Sequence, residues 1–420
     1  MKLKISNQPI KGFRDFTPND WLKEKYIFRK WSSVCKSYGF EEYNGPLIES
    51  VEIYNKSGDD IGLAGKELYT FTDRGDRKLA IRPEMTPTVG RMISSYAKTA
   101  SKPIRWYSIA QFFRAENPQR GRGREFYQLN ADIFGDKSIN SDVEVLSLVV
   151  DLMLSFGASD EMFKIKYNDR VFMNKSLLSF IPEDKITSVL RIIDGYRKKP
   201  EGWLKQSLID IGLNSDSIDK VNDYLALDFN AMKSLEIDGR EYLTNLQKML
   251  VELGISEYFE YDAGLARGFD YYTGLVFEVY DMNPENNRSM FGGGRYDNLT
   301  EMFGGEQIPA VGFAPGDITT LLFLESWNLF PDKLDEEVSK YYIPFLYEES
   351  LPIAYKLAKK LRLDGSTVVV GTSGESINKA LSYASKNGYN YVILIGQDEF
   401  KTGKYKVKNL VTQTEEFFNY

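Results

Sequence analysis

The chain has 420 residues, 42% of them hydrophobic, and a formal net charge of -7. That length predicts two or three domains rather than one compact unit. The acidic balance excludes a uniformly basic coat, while local patches for nucleic acid stay open. Histidine is absent and Cys35 is the only cysteine. Ser-His-Asp and Cys-His catalysis, internal disulfides and a zinc site of imidazole and thiolate are therefore excluded. Any metal is then a hard cation held by carboxylates and phosphates, which points to magnesium. Arginines, carboxylates, amides and hydroxyls suit phosphate chemistry, which needs positioning and charge neutralisation more than proton shuttling. No run of about 18 apolar residues is present to predict a membrane span. Met1-Lys2-Leu3-Lys4-Ile5 lacks the features of a secretory signal. A cytoplasmic protein is expected.

In chain order, Asp15-Phe16-Thr17-Pro18-Asn19-Asp20-Trp21 reads as a capping cluster before a helix that runs to about Ser37 and ends at Gly39. Residues 68–84 read as strands broken by the turn Asp73-Arg74-Gly75-Asp76. Ile104 to Phe113 and Glu125 to Phe134 are rich in aromatic and β-branched residues. Joined by Asn117-Pro118-Gln119-Arg120-Gly121-Arg122-Gly123, they predict an antiparallel hairpin. Residues 170–250 have helical patterning, with a turn at Lys198-Lys199-Pro200-Glu201-Gly202, and strand character returns at 264–316. Pro331 to Lys340 reads as a linker. Beyond it come a helix at Pro352 to Leu363, a strand at Thr367 to Val370, a helix carrying Ile377, Ala380, Leu381 and Ala384, and a strand at Tyr391 to Ile395. That alternation predicts a small α/β domain with partly parallel strands.

Side chains on a strand alternate faces, so Arg124, Gln128, Asn130 and Asp132 are predicted to point one way, and Arg114 and Glu116 to share a face. Arginines near a hairpin tip suit phosphate, and a carboxylate with an amide further down suits a cationic or polar ligand. The same residues fit a solvated edge hairpin equally well. Arg82-Pro83-Glu84-Met85-Thr86-Pro87 brings a carboxylate and a hydroxyl to a strand end, where a helix cap is the plainer alternative. Gly264 to Glu278 contains an arginine beside glycine and then paired tyrosines, a set for a planar polar ligand or for a bulged strand. Gly292-Gly293-Gly294-Arg295-Tyr296-Asp297 is a glycine run of little weight alone.

Taken together these segments are specific. Arg267-Gly268-Phe269-Asp270-Tyr271-Tyr272-Thr273-Gly274 resembles the histidine-recognition signature of histidyl-tRNA synthetases, and Gly293-Gly294-Arg295-Tyr296-Asp297 resembles their second such signature. Phe113-Arg114-Ala115-Glu116 through Gly121-Arg122-Gly123-Arg124-Glu125-Phe126 and Gln128 is similar to motif two of class II synthetases. Glu42 to Glu49, centred on Pro46, resembles their dimer-forming motif one. The resemblance runs through essentially the whole chain in family order.

The resemblance implies an α+β fold. A class II synthetase-like catalytic domain on an antiparallel sheet would span 1–330, interrupted by a helical insertion at about 170–250, and a C-terminal α/β anticodon-binding domain would span 335–420. It implies activation of L-histidine with ATP and Mg2+, transfer to the 3' end of tRNA(His), and a homodimer. Family histidine-binding positions fall on Glu84, Met85, Thr86, Gln128, Asp132, Arg267, Tyr271, Tyr272 and Tyr296. Asp132 would pair the substrate ammonium, while Glu84 and tyrosine hydroxyls would satisfy the imidazole nitrogens. Arg114 would clamp the α-phosphate and Arg267 would stabilise the charge built as the carboxylate attacks. Glu116, Arg122 and Arg124 join Arg114 at ATP, and Gln119 and Arg120 fall to the tRNA acceptor end. Lys379, Lys401, Lys404, Lys406 and Lys408 are the candidate phosphate contacts of the C-terminal domain. One departure concerns motif three, where Thr319 stands at the position of an ATP-contacting arginine. An alternative within the same resemblance is a catalytically silent paralogue, the histidine-binding regulatory subunit of ATP phosphoribosyltransferase.

Overall fold

Helix α1 (Pro18–Ser37) opens with a capping box: the Asp20 amide donates to the Thr17 hydroxyl and the Thr17 amide to the Asp20 carboxylate. Gly39, at φ +75°, lets the chain turn away after Tyr38. Ile27, Trp31 and Cys35, four residues apart, stack on one buried face. Burial of large apolar side chains of this kind contributes roughly 1.5–3 kcal/mol each. This is a computed structural model describing residues 6–54, 67–266, 272–286, 289–334, 338–372 and 374–419. The chain divides into two units, Met1–Pro331 and Asp332–Tyr420.

In the first unit, β1 (Glu41–Glu42), β2 (Ile48–Ser50), β3 (Tyr69–Thr72) and β4 (Lys78–Ile81) precede helix α2 (Thr86–Tyr96). The hairpin β5 (Ile104–Phe113) and β6 (Glu125–Phe134) follows, then helix α3 (Ile139–Ser155) and β7 (Phe163–Asp169). Helices α4 (Arg170–Leu178), α5 (Ile186–Gly195), α6 (Trp203–Asp210), α7 (Ser215–Leu225), α8 (Phe229–Lys233) and α9 (Arg240–Glu252) occupy the stretch patterned for helix. The chain then re-enters strands β8 (Phe259–Tyr261), β9 (Leu275–Asp281), β10 (Ser289–Arg295) and β11 (Ala310–Phe313) before helix α10 (Asp317–Ser326).

Eight strands form one sheet in the order β1-β5-β6-β11-β10-β9-β7-β8, and β2-β4-β3 form a small second one. Pairing is antiparallel except at the two edges, β1 with β5 and β7 with β8. Along β5 and β6, alternate residues divide between two faces. Leu129, Ala131 and Ile133 join α1, α3 and the inserted helices in the largest core cluster. Phe126 and Phe134 face the other way, each in a smaller cluster beneath the chain around α2. Helix α3 and strand β7 carry no expectation from the sequence, although Asn140, Glu144, Ser147 and Asp151 of α3 form a narrow polar stripe at helical spacing. The rest of its circumference is buried.

The second unit runs β12 (Lys340–Ile343), α11 (Leu351–Leu363), β13 (Thr367–Val370), α12 (Ile377–Lys386), β14 (Tyr391–Leu394), α13 (Gln397–Thr402), β15 (Lys404–Asn409) and β16 (Glu415–Asn419). Its sheet has the order β13-β12-β14-β15-β16, parallel among the first three strands and antiparallel beyond. Lys340 belongs to β12, so the expected linker is shorter than its polar composition suggested. Among the described residues no helix is long and apolar enough to cross a membrane.

Candidate active site

The hairpin positions the chemistry. Register pairs Trp106 with Asp132, Ser108 with Asn130 and Ala110 with Gln128. The face holding Asp132 is apolar at both ends: Met85, Ala110, Phe112 and Phe126 pack at one, and Val89, Trp106, Phe134, Tyr272 and Tyr296 at the other. Gln128, Asn130, Asp132 and Ser108 occupy the gap, so the predicted shared face of the even-numbered β6 residues is realised.

Asp132 is buried and accepts a hydrogen bond from the hydroxyl of Tyr296, which is itself 3% exposed. Burial pushes its carboxyl from the usual carboxylate range up to about 7, with the tyrosine hydroxyl opposing the shift. Glycine makes this geometry possible. A Cβ on Gly312, its partner on β11, would lie 1.9 Å from Asp132 Oδ1. A Cβ on Gly294 would meet the Tyr272 ring at 2.8 Å. The glycine run of β10 therefore makes room for the tyrosine and for close strand approach. Gln128 donates to the Ala314 carbonyl at 3.3 Å and bridges to Gly316, joining the pocket to the start of α10.

Other predicted residues spread out. Glu84 and Thr86 sit half-buried where β4 passes into α2, whereas the Met85 side chain is fully buried against Phe112 and Phe126. Arg267 and Tyr271 lie outside the described residues. Arg295, next to Tyr296, points to the opposite face, where its guanidinium bonds Asp142, Ser141 and the carbonyls of Asp136 and Ser138.

At the hairpin's other end, Arg114 donates to the Pro83 carbonyl at 3.0 Å and lies 4.9 Å from the centre of the Phe126 ring. Its cationic edge is thus held beside the strand-to-helix connection that carries Glu84. Arg124 donates to the Glu116 carbonyl at 2.9 Å, and its stem packs on Gly12, away from the face of Gln128 with which it was grouped. It precedes the first residue of β6, so strand alternation does not govern it. Arg114 and Glu116 likewise lie beyond the end of β5, and the face they were expected to share is not a strand face. Glu116 pairs with Arg122 at 3.4 Å. Gln119 and Arg122 close the tip by reciprocal main-chain bonds of 3.0 and 2.8 Å around Gly121 at φ +78°. Arg120 stands at that tip, 58% exposed, 3.8 Å from Glu285. Thr319 caps inward, its hydroxyl donating to Met290 O and Gly316 O at 3.0 and 3.1 Å.

The sequence model of the histidyl-tRNA synthetase family matches residues 12–166 and 207–317. A histidine–tRNA ligase of Leptospira biflexa is 36% identical across 99% of this chain and 96% of its own length. The chain belongs to the histidyl-tRNA synthetase family.

Another family relative, the histidine–tRNA ligase of Haloarcula marismortui, is also 36% identical, covering 96% of this chain and 93% of its own. The anticodon-binding domain model matches residues 340–417, within the second unit. In fold, the chain resembles the histidyl-tRNA synthetase of a Nostoc species with a TM-score of 0.81 at 24% identity, over 99% of this chain and 97% of that one. A Bacillus halodurans structure described as an ATP phosphoribosyltransferase regulatory subunit/histidyl-tRNA synthetase shares the fold with a TM-score of 0.75 at 23% identity, over 93% and 99%. In the anticodon-type unit, Lys406 and Lys408 pair with Glu415 at 3.2 and 3.4 Å, while Lys379, Lys401 and Lys404 are exposed.

Sequence reasoning named Asn130 as a member of this face but gave it no role, and missed Ser108 and Tyr43. The signal was available in part: Ser108 is the one serine in the largely apolar and aromatic strand Ile104 to Phe113.

Proposed function

We propose that the chain is a histidine–tRNA ligase: it activates L-histidine with ATP to histidyl-adenylate and esterifies the histidine to the 3' end of tRNA(His). The observation that carries this reading is the Asp132–Tyr296 pair, buried between two apolar clusters on the hairpin whose other end offers Arg114. The substrate carboxylate oxygen attacks the α-phosphorus, the bond to the bridging oxygen breaks, and pyrophosphate leaves with that electron pair. No proton moves in this step, so positioning and charge neutralisation suffice, and a chain without histidine can supply both. Arg114 neutralises the α-phosphate, and Glu84, Thr86, Gln128, Asp132, Tyr272 and Tyr296 surround the amino acid. Arg267 and Tyr271 complete the proposed set through the sequence signature they occupy. Arg122 and Arg124 take the outer phosphates, and Gln119 with Arg120 the acceptor end.

Magnesium would arrive on the nucleotide, since that ion keeps most of its waters and binds through phosphates with one or two carboxylates. Glu116, its side chain 12% exposed beside Arg122, is the carboxylate suited to it, and the ion would neutralise phosphate charge. A homodimer in a reducing cytoplasm completes the reading. Leu47, Ile48 and Phe71, exposed on and beside the small β2-β4-β3 sheet, support the dimer, and the buried free thiol of Cys35 supports the compartment.

Amino-acid-dependent ATP–pyrophosphate exchange across all twenty amino acids tests the activation step. Histidine alone should support exchange, and purified tRNA(His) should then be charged. Histidine binding by calorimetry without exchange would return the reading to the regulatory paralogue.

A further inference from the structure

The gap between the two apolar clusters holds more polar capacity than the protein uses. Ser108 is 1% exposed and Asn130 4% exposed, and they face each other across β5 and β6. Tyr43 packs against both clusters, with its ring stacked on Trp106 at 5.2 Å. Its hydroxyl is buried near Asp132, and that burial raises its pKa far above the usual tyrosine range. The Ser108 hydroxyl, the Asn130 amide nitrogen and the Tyr43 hydroxyl are all buried; the two hydroxyls neighbour each other, and the Asn130 amide nitrogen has no hydrogen-bond partner in the protein.

An unmet buried donor costs roughly 1–3 kcal/mol. An unmet amide nitrogen and two hydroxyls that have only each other, beside a buried carboxylate, form a costly arrangement for a fold that could have filled the space with alanine and phenylalanine. Such a cost is retained where a ligand satisfies the groups. The chemistry of the set is asymmetric: the amide nitrogen can only donate, and each hydroxyl can donate in turn. A donor-lined floor of this kind complements a lone pair on a small ring. A neutral imidazole carries one N–H and one lone pair, and among amino-acid side chains it alone presents that pair on a ring.

We propose that Asn130, with the hydroxyls of Ser108 and Tyr43, forms the floor of the amino-acid pocket and donates to the unprotonated ring nitrogen of histidine. This inference rests on the histidine-activating reading above. Asn130 is the anchor, because only its nitrogen is committed to donating. Ser108 and Tyr43 help to exclude amino acids that bring an apolar ring. A pocket that must hydrogen-bond its substrate rejects an analogue lacking the partner, since the floor is then left buried and unmet.

The test combines two readouts on Asn130→Ala, Ser108→Ala and Tyr43→Phe. In exchange assays each variant should raise KM for histidine by roughly tenfold, with Asn130→Ala the largest and kcat little changed. Inhibition by 3-(2-thienyl)alanine, which keeps the ring shape without ring nitrogens, should be unaltered. The melting temperature of ligand-free Asn130→Ala should hold or rise, because that substitution removes an unmet group. A fall in melting temperature with unchanged KM would assign the three groups to the fold and overturn the inference. Equal loss of affinity for histidine and thienylalanine would overturn it too. If the unaltered enzyme neither exchanges nor binds histidine, the parent reading falls and takes this one with it. If it exchanges with histidine and no variant shifts KM, only the floor is refuted.

Discussion

Arg295 and Tyr296 are neighbours at the end of β10, yet the buried polar clusters they enter are built in opposite ways. Around Arg295 all three guanidinium nitrogens are bonded, to Asp142, Ser141 and the carbonyls of Asp136 and Ser138, while Tyr242 donates to the second oxygen of Asp142 at 2.9 Å. Around Tyr296 the network is incomplete: one hydroxyl reaches Asp132, the hydroxyls of Ser108 and Tyr43 have only each other, and the Asn130 amide nitrogen has no partner. Burial raises both carboxyls, Asp142 to about 6 with Arg295 opposing the shift and Asp132 to about 7. A closed network fixes a strand against α3. An open one is what a binding pocket looks like before its ligand arrives.

Substitution should separate the two clusters. The largest loss of stability is expected for Arg295→Met, which strands the buried Asp142 and should cost about 3–5 kcal/mol, read as a lower urea midpoint. Gly312→Ala comes next. Its methyl group would press on the Ala131 carbonyl at 2.7 Å and on Asp132 itself. About 1–3 kcal/mol of overpacking and at least a tenfold rise in KM for histidine are expected together. Unchanged KM in a folded Gly312→Ala protein would mean that Asp132 does not need its position.

Asp132→Asn should invert the pattern, losing most histidine-dependent exchange while stabilising the empty enzyme at high pH. The sign follows from the direction of the shift. A carboxyl whose folded pKa is raised stabilises fully below its unfolded pKa, near 4, and that contribution is lost as pH rises towards 7. The variant should therefore melt above the parent at pH 8, by on the order of 2 kcal/mol, and converge with it near pH 4. Equal melting temperatures at both pH values would refute the burial cost.

The smallest effect is expected at Glu24, which shares Arg14 with the buried Asp317 and is raised to about 7 by desolvation and by that second carboxylate. Glu24→Gln should add on the order of 1 kcal/mol at pH 8 and little at pH 5, without altering exchange. A loss of stability at pH 8 would show that the charged form is the one the fold prefers.

Much of the site was legible because local rules write it. The capping box at Thr17, the hairpin strands around Gly121 and the alternation that aligns Gln128, Asn130 and Asp132 each depend on residues within one turn or one strand. Rules of that range fail at element ends. Arg124 was grouped with Gln128 by counting in twos, but it stands before the first strand residue and turns to Glu116 and Gly12. Met85 looked like part of a polar strand end, and its side chain went to the core because Phe112 and Phe126 lie over it.

By itself, the sequence determined the family, the two-part organisation, the hairpin and the chemical toolkit, since motif order, composition and strand period are properties of the chain read in one dimension. Tertiary structure decided which of two adjacent residues at the end of β10 would serve the fold and which the pocket, and which glycines clear space for Asp132 and Tyr272. It also decided that Ser108, Asn130 and Tyr43, far apart in sequence, would meet in one buried gap. Burial and hydrogen-bond satisfaction belong to the assembled environment, and no single stretch of sequence contains it.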